Sequence, residues 1–247
     1  MVNSSTVADL RSLLQRQGLG SAASRVELNE PEVAASGFRE IDDLFGGGIS
    51  RGEILECCGG PSSGCTTLAL SALAQATGRG EQVAYIDASD SLDPRQAEQA
   101  GVQLDHLLWV RCGAQKRSFD WRSRRSACSA QVWKATQLVA ASGGFGLIVL
   151  DLIGLPLSQL RDFQNFPWFG LRKTIAESPT AVLALSPEHV AGTVASQALV
   201  LERENVGWRG GSGVSLRLTG FSAQAKLLHQ RRSRFGQAVS CRLEAQR

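Results

Sequence analysis

The sequence predicts an α/β fold, a three-layer core with a central, mostly parallel sheet extended by antiparallel strands at its C-terminal end. Three observations predict it. Short apolar runs alternate with helical segments from Gly37 to Ser186, the order that builds a parallel sheet covered by helices. One run, EILECCG, leads into the glycine-rich loop GGPSSGCTT at 59–67, and a helix follows. The segments QALVLERE, GVSLRLTG, QAKLLHQ and AVSCRLE alternate apolar and polar residues, as antiparallel strands do.

Taken in order, TVADLRSLLQRQG at 6–18 carries Val7, Leu10, Leu13 and Leu14 at helical spacing, with Gly18 as a stop. GSAASRVELNEPEVAAS is a polar, small-residue linker, so residues 1–36 read as a helix and tether and 37–247 as the core domain. A tethered helix docks on a neighbouring subunit, on another protein or on its own domain; the first option makes residues 6–18 a homo-oligomer contact. FREIDDLF is a short helix and GGGISRG a tight turn. After the 59–67 loop come the helix TTLALSALAQATG, the strand EQVAYIDAS with Asp87, a helix at 95–101 and the strand LLWVRC. Residues 124–142 are expected to be a helix with Trp133 and Leu138 on its apolar side. FGLIVLDLIG is a buried strand carrying Asp151; 159–178 hold a loop and a helix, and TAVLALS is a further strand.

Composition narrows the class. The 247 residues, 43% hydrophobic, suit one sizeable α/β domain. No apolar run approaches the ~20 residues that span a bilayer, and the N-terminus lacks a signal-peptide pattern. A cytoplasmic protein is expected. Six cysteines stand at 57, 58, 65, 112, 128 and 241, with no C-x-x-C pair, so buried reduced thiols are expected rather than zinc or a disulfide scaffold. Three histidines without ligand spacing give no metal site. The net charge of +3 conceals an asymmetry. Residues 1–110 hold 7 basic and 15 acidic side chains, 111–134 hold 7 and 1, 135–202 hold 3 and 5, and 203–247 hold 9 and 2. Two compact basic segments on an otherwise acidic chain point to an anionic partner such as nucleic acid.

The loop at 59–67 follows the pattern G-x-x-x-x-G-K-[ST] with Gly59, Gly64 and Thr66 in place and Cys65 where the lysine belongs. Backbone N–H groups of Gly59, Gly60, Ser62, Ser63, Gly64, Cys65, Thr66 and Thr67 can still cradle a phosphate. A thiol cannot supply the missing cation. Two readings stand: weak residual nucleotide binding, with ATP or ADP and magnesium as the cofactor, and a turn kept for the strand–helix junction with no cofactor. At a helix N-terminus Cys65 can also have a lowered pKa.

The chain resembles bacterial RecA-type recombinases across roughly 36–247. GGGISRGEILECCGGPSSGCTT, YIDASDSLDP at 85–94 and GVQLDHLLWV at 101–110 are similar to that family in order and spacing, and LIVLD at 147–151 looks like its acidic, magnesium-holding strand. The resemblance implies a RecA-like core. It also exposes departures. Cys65 stands for the loop lysine, Ser89 for the glutamate that orients the attacking water, and Pro187 for the glutamine that senses the terminal phosphate. The second DNA-gripping loop shrinks to EHVAGTVAS, and the family's C-terminal lobe is expected to be lacking after Arg247. Phosphoryl transfer is mostly positioning and electrostatics, so these losses imply a pseudo-ATPase with no catalytic residues. If nucleotide binds, Asp151 would hold magnesium; otherwise it needs hydrogen bonds, Thr66 being the expected donor.

Small size, a tethered helix, a degraded site and a basic tail resemble ImuA-type proteins. That resemblance implies an adaptor or regulator in damage-induced (SOS) mutagenesis and translesion synthesis, with RecA and an ImuB-like polymerase homologue as partners. The alternatives are a divergent ATPase with its charge supplied by Arg231 or by a partner, and a plain single-stranded DNA-binding module. Candidate DNA or partner contacts are Lys116, Arg117, Trp121, Arg122, Arg124 and Arg125 in KRSFDWRSRR, and Arg231, Arg232 and Arg234 in HQRRSRFG. The first group mixes phosphate contacts with stacking aromatics; the second lies near the family's paired lysines that reach a neighbour's nucleotide. Phe163, Phe166, Trp168 and Phe169, in the region of the first DNA loop, either dock on a partner or cover the core.

Overall fold

The computed structural model describes residues 32–112, 121–209, 217–230 and 238–243. Val33–Arg247 forms one compact unit. Its elements are β1 (Val33–Ala34), α1 (Arg39–Phe45), β2 (Ile49–Ser50), β3 (Ile54–Cys58), α2 (Cys65–Gly78), β4 (Gln82–Asp87), α3 (Pro94–Gln99), β5 (Leu107–Arg111), α4 (Trp121–Ser142), β6 (Phe145–Asp151), α5 (Leu157–Gln164), α6 (Trp168–Ile175), β7 (Ala181–Ser186), β8 (Gln197–Arg209), β9 (Arg217–Gln230) and β10 (Ala238–Leu243).

Eight strands form one sheet in the order β10-β9-β8-β3-β7-β6-β4-β5. β8 through β5 run parallel, while β9 and β10 return antiparallel. The central strands are apolar at nearly every position because both faces are covered. Leu55, Cys57, Leu147 and Val149 face a core shared with Ile41 of α1 and Leu68 and Leu73 of α2. Their chain neighbours Ile54, Ile148 and Leu150 face a second core with Val132 of α4, Phe163 of α5 and Leu171 of α6. The period-two alternation of a strand thus divides each central strand between two helix layers.

Four expectations are corrected. Helix α4 already includes Trp121, earlier than residue 124. Its buried stripe is Val132, Trp133, Thr136, Val139 and Ala140, so Leu138 falls outside it and is 61% exposed. The 157–175 region holds two helices, broken at Pro167, which precedes α6. GVSLRLTG and QAKLLHQ do not make two strands: residues 217–230 are the single strand β9, within which Gly220 pairs with Gly207 of β8 instead of ending the run.

The aromatics at 163–169 mostly serve the core. Trp133 lies 4.9 Å from Phe166 and 5.5 Å from Trp168, and Phe163 lies 4.6 Å from Phe166, ring to ring. Phe169 is the exception, at 67% exposure.

Candidate functional site: a phosphate-type loop without its lysine

β3, fully buried between β7 and β8, delivers the chain to the loop at 59–64, and α2 leaves from it. Two local facts shape that loop. A side chain at Gly59 would place its Cβ 2.3 Å from Ser63 Oγ and 2.9 Å from Cys65 Sγ, so only glycine fits. Ser62 and Gly64 both have positive φ, at 60° and 105°, which turns the backbone sharply before the helix. Gly59 N donates to Ser186 O at 3.1 Å, tying the loop's start to β7. The first turn of α2 carries no acidic residue, so the positive end of the helix is not neutralised from within.

A cavity of about 390 Å³ opens over the loop. Gly60, Ser62, Ser63, Gly64, Cys65, Thr66 and Thr67 form its floor, and Arg203, Val206, Trp208 and Phe221 of the β8–β9 ribbon form its wall, with Ile153. The ribbon reaches the cavity through a β-bulge. Leu199, Leu201 and Arg203 alternate onto one face; the register then shifts between Arg203 and Asn205. Glu204 is the extra residue, and it brings Val206 and Trp208 onto the same face as Arg203. Plain alternation would have sent those two to the far side. Arg203 is the basic side chain lining the cavity among the described residues. Sequence reasoning missed it, since a one-residue slip inside a strand leaves no clear mark in composition.

The residue in the lysine's place turns inward. Cys65 is 1% exposed, with its Sγ 3.5 Å from Cys57 Sγ and 3.2 Å from Ser63 Oγ. Cys57 is pushed well above the usual thiol range by its contact with Cys65 and by burial. Cys65 is lowered, first by the bond with Cys57, although burial opposes this.

The acidic pair beside the loop is tied up by its own fold. Asp87 and Asp151 end the adjacent parallel strands β4 and β6 and stand in register. Asp87 accepts from the backbone N–H of Ser89, Ser91 and Leu92 and from Trp109 Nε1. Asp151 accepts from Tyr85 Oη at 2.6 Å, from Ile153 N at 2.8 Å and from Ser91 Oγ at 3.4 Å. Thr66, its expected donor, is not among these partners. Burial pushes the Asp151 carboxyl up to about 6, with the charge of Asp87 adding to the rise. Ser89 donates its hydroxyl to Ile153 O at 2.8 Å and lies 3.1 Å from Ser91 Oγ, which fixes it as a turn residue.

Sequence reasoning also passed over Glu56. A charged residue inside ILECC is the signal that could have found it, since an unpaired carboxylate is costly to bury. Glu56 is fully buried and accepts from Val190 N at 2.6 Å and Ala191 N at 3.1 Å, and from Ser186 Oγ and His189 Nδ1. The His189 pKa rises through the bond to Glu56. Donor atoms of Glu56, Cys58 and His189 lie within 4.8 Å of one another, a set that could hold a metal ion. The carboxylate's contacts already account for its acceptor positions, and the group acts as a brace for the segment after β7 that contains Pro187.

The predicted DNA or partner contacts fall largely outside the described residues. Lys116, Arg117, Arg231, Arg232 and Arg234 lie outside them altogether; Trp121, Arg122, Arg124 and Arg125 belong to the start of α4, with side chains that are not described. The backbone gives one constraint. β9 ends at Gln230, paired with Gln197 at the start of β8, at the sheet end opposite the loop. β9 therefore runs away from the chain's own phosphate-type loop.

No helix of the described residues is long and apolar enough to cross a membrane. The RecA N-terminal domain family matches residues 14–122. Protein RecA of Thermus thermophilus is 31% identical over 186 residues, covering 72% of this chain and 51% of that protein. Protein RecA of Streptomyces coelicolor is 36% identical over 127 residues, 51% of this chain and 30% of that protein. The chain thus spans about a third to a half of the curated relatives it matches. The crystal structure of the RadB recombinase aligns with a TM-score of 0.62 at 18% identity, covering 87% of this chain and 97% of that one, which establishes the fold. With its mostly parallel sheet, antiparallel extension and loop in the family's place, the chain is a RecA homologue carrying the RecA N-terminal domain on a recombinase-type α/β core.

Proposed function

We propose that this RecA homologue works in DNA repair as a catalytically degenerate adaptor or regulator of the ImuA type, acting in damage-induced mutagenesis through partners rather than by hydrolysing ATP. One observation carries the reading: the side chain at the lysine position, Cys65, is buried against Cys57 and brings no positive charge to the loop. The engagement of Asp151 by Tyr85 and of Ser89 by Ile153 O supports it, because the groups at the metal and water positions already have structural duties. RecA, an ImuB-like polymerase homologue and single-stranded DNA are the partners proposed, with residues 6–18 as a docking or self-association helix.

The test is a turnover assay of the full chain with ATP, magnesium and single-stranded DNA. No turnover above background is expected, and Asp151→Ala leaves that background unchanged. Turnover that Asp151→Ala abolishes overturns the proposal. A pull-down with RecA and polymerase subunits, with and without residues 1–30, then assigns the partner.

A second reading, a divergent ATPase, has a specific observation in its favour: Arg203 lines the loop cavity from within the same chain. Under that reading Arg203 takes over the lysine's charge in cis, in place of Arg231 or a residue from a partner. Calorimetry with ATP and ADP separates the two, since only the second requires binding that Arg203→Ala removes.

A further inference from the structure

We propose that Cys65 and Cys57 are an oxidisable pair, a modification site at which a hydroperoxide links the two thiols into a disulfide across the base of the phosphate-type loop. The two sulfurs are already in contact at 3.5 Å. A disulfide needs them at ~2.05 Å, with the Cβ atoms about 3.5–4.5 Å apart, so closure asks for a movement of roughly 1.5 Å. Both residues sit on the loop's flanks: Cys57 is the penultimate residue of β3, and Cys65 the first residue of α2. The bond would close residues 57–65 into a ring containing the whole loop.

Among the described cysteines the pair is selective. Cys58, next in sequence, points to the other face of β3, where its Sγ lies 3.6 Å from Ser186 Oγ. Cys112 packs in the second core, and Cys241 donates to Ala223 O on β9. Cys65 borders the loop cavity, whereas Cys57 does not. Of the two, Cys65 is therefore the residue nearer an oxidant in the cavity, although its sulfur is itself buried. The acidities run the same way: the bonds to Cys57 and Ser63 lower Cys65, while Cys57 is raised.

The chemistry balances with the peroxide as the named oxidant. The Cys65 thiolate attacks one peroxide oxygen, the O–O bond breaks, and the leaving oxygen departs as water after taking a proton. Cys65 is then a sulfenic acid. The Cys57 sulfur attacks the Cys65 sulfur, an S–S bond forms, the S–O bond breaks, and hydroxide leaves as water with the Cys57 proton. Two thiols are oxidised and one hydrogen peroxide is reduced to two waters. The site stands whether or not a nucleotide binds in the cavity, so it does not depend on the functional reading above.

The test uses the reduced full chain treated with hydrogen peroxide, then denatured and alkylated with iodoacetamide without reductant. Trypsin cuts after Arg51 and Arg79 and leaves Cys57, Cys58 and Cys65 on one peptide. The expected peptide carries one alkyl group instead of three and is lighter by two hydrogens, and dithiothreitol restores three. Cys58→Ser, which keeps the pair, should carry none. Cys57→Ala should lose the bond and leave Cys65 as a sulfenic acid trapped by dimedone. Three alkyl groups after peroxide overturn the proposal. So does a bond that survives Cys57→Ala or is lost in Cys58→Ser, since either result makes Cys58 the partner.

Discussion

Tyr85 and Asp151 lie on neighbouring parallel strands, and the tyrosine hydroxyl donates to the carboxylate at 2.6 Å within the buried sheet. The bond makes Asp151 part of the core's polar bookkeeping. Burial is the larger influence on its pKa, which stands at about 6 against an ordinary 3.8. A folded pKa above the unfolded one means that the folded state holds the proton more tightly. The resulting stabilisation is complete below the unfolded value near 3.8 and is lost as the pH rises through about 6. Asp151→Asn keeps an acceptor for Tyr85 and removes the charge. It should therefore be more stable than the wild type at pH 8 by on the order of 1–3 kcal/mol, a difference that disappears near pH 4. Urea denaturation at the two pH values reads it.

Glu56 should be the least replaceable charged residue of the core. Glu56→Ala strips the buried N–H groups of Val190 and Ala191 of their acceptor and His189 of its counter-charge. The expected loss is about 3–5 kcal/mol in urea unfolding, as for a buried pair broken by removing one partner. The His189 bond has the opposite pH sign to a lowered carboxylate. Its contribution is full below the unfolded histidine value and fades as the pH rises through the raised folded one. In His189→Ala that part of the pH dependence should vanish.

The two glycines opening the loop make an internally controlled pair. Gly59→Ala drives a Cβ into Ser63 and Cys65, whereas the same atom at Gly60 meets nothing within 4 Å. Gly59→Ala should cost ~1–3 kcal/mol by overpacking, and Gly60→Ala should stay within about 0.5 kcal/mol of the parent. Thermal melts of the two variants side by side are sufficient.

Charge in the loop cavity should be movable. Cys65→Lys puts a cation back at the motif position, and a gain of about tenfold in affinity for ATP is expected, equivalent to ~1.4 kcal/mol. ATP turnover should not return, because Ser89 still bonds to Ile153 O. Isothermal titration alongside a phosphate-release assay distinguishes binding from catalysis.

Binding to single-stranded oligonucleotides, if carried by the basic segments, should weaken steeply with salt. Each phosphate contact removed should flatten the slope of log affinity against log salt by ~0.7 for single strands. Replacing Lys116, Arg117, Arg122, Arg124 and Arg125 with glutamine should reduce that slope by several units' worth of contacts, measured by fluorescence anisotropy between low and moderate salt.

The sequence by itself determined the α/β class, because strands covered on both faces must read as unbroken apolar runs and β3, β6 and β7 do so. It also determined the strand–loop–helix geometry at 59–67, since the glycines and small residues there permit few other backbones. Its helix and strand limits failed where packing overrode local signals. Leu138 looked apolar enough for the core but lies off the stripe that α4 presents to it. Gly220 looked like a break but is held inside β9 by pairing with Gly207.

Only the tertiary structure decided where the side chains of the site point. That Cys65 meets Cys57, that Tyr85 occupies Asp151, and that a bulge at Glu204 carries Arg203 and Trp208 to one cavity all depend on contacts between residues distant in sequence or on a shift in register. Local propensity is blind to such contacts, because their energy exists only once the sheet has brought the strands together.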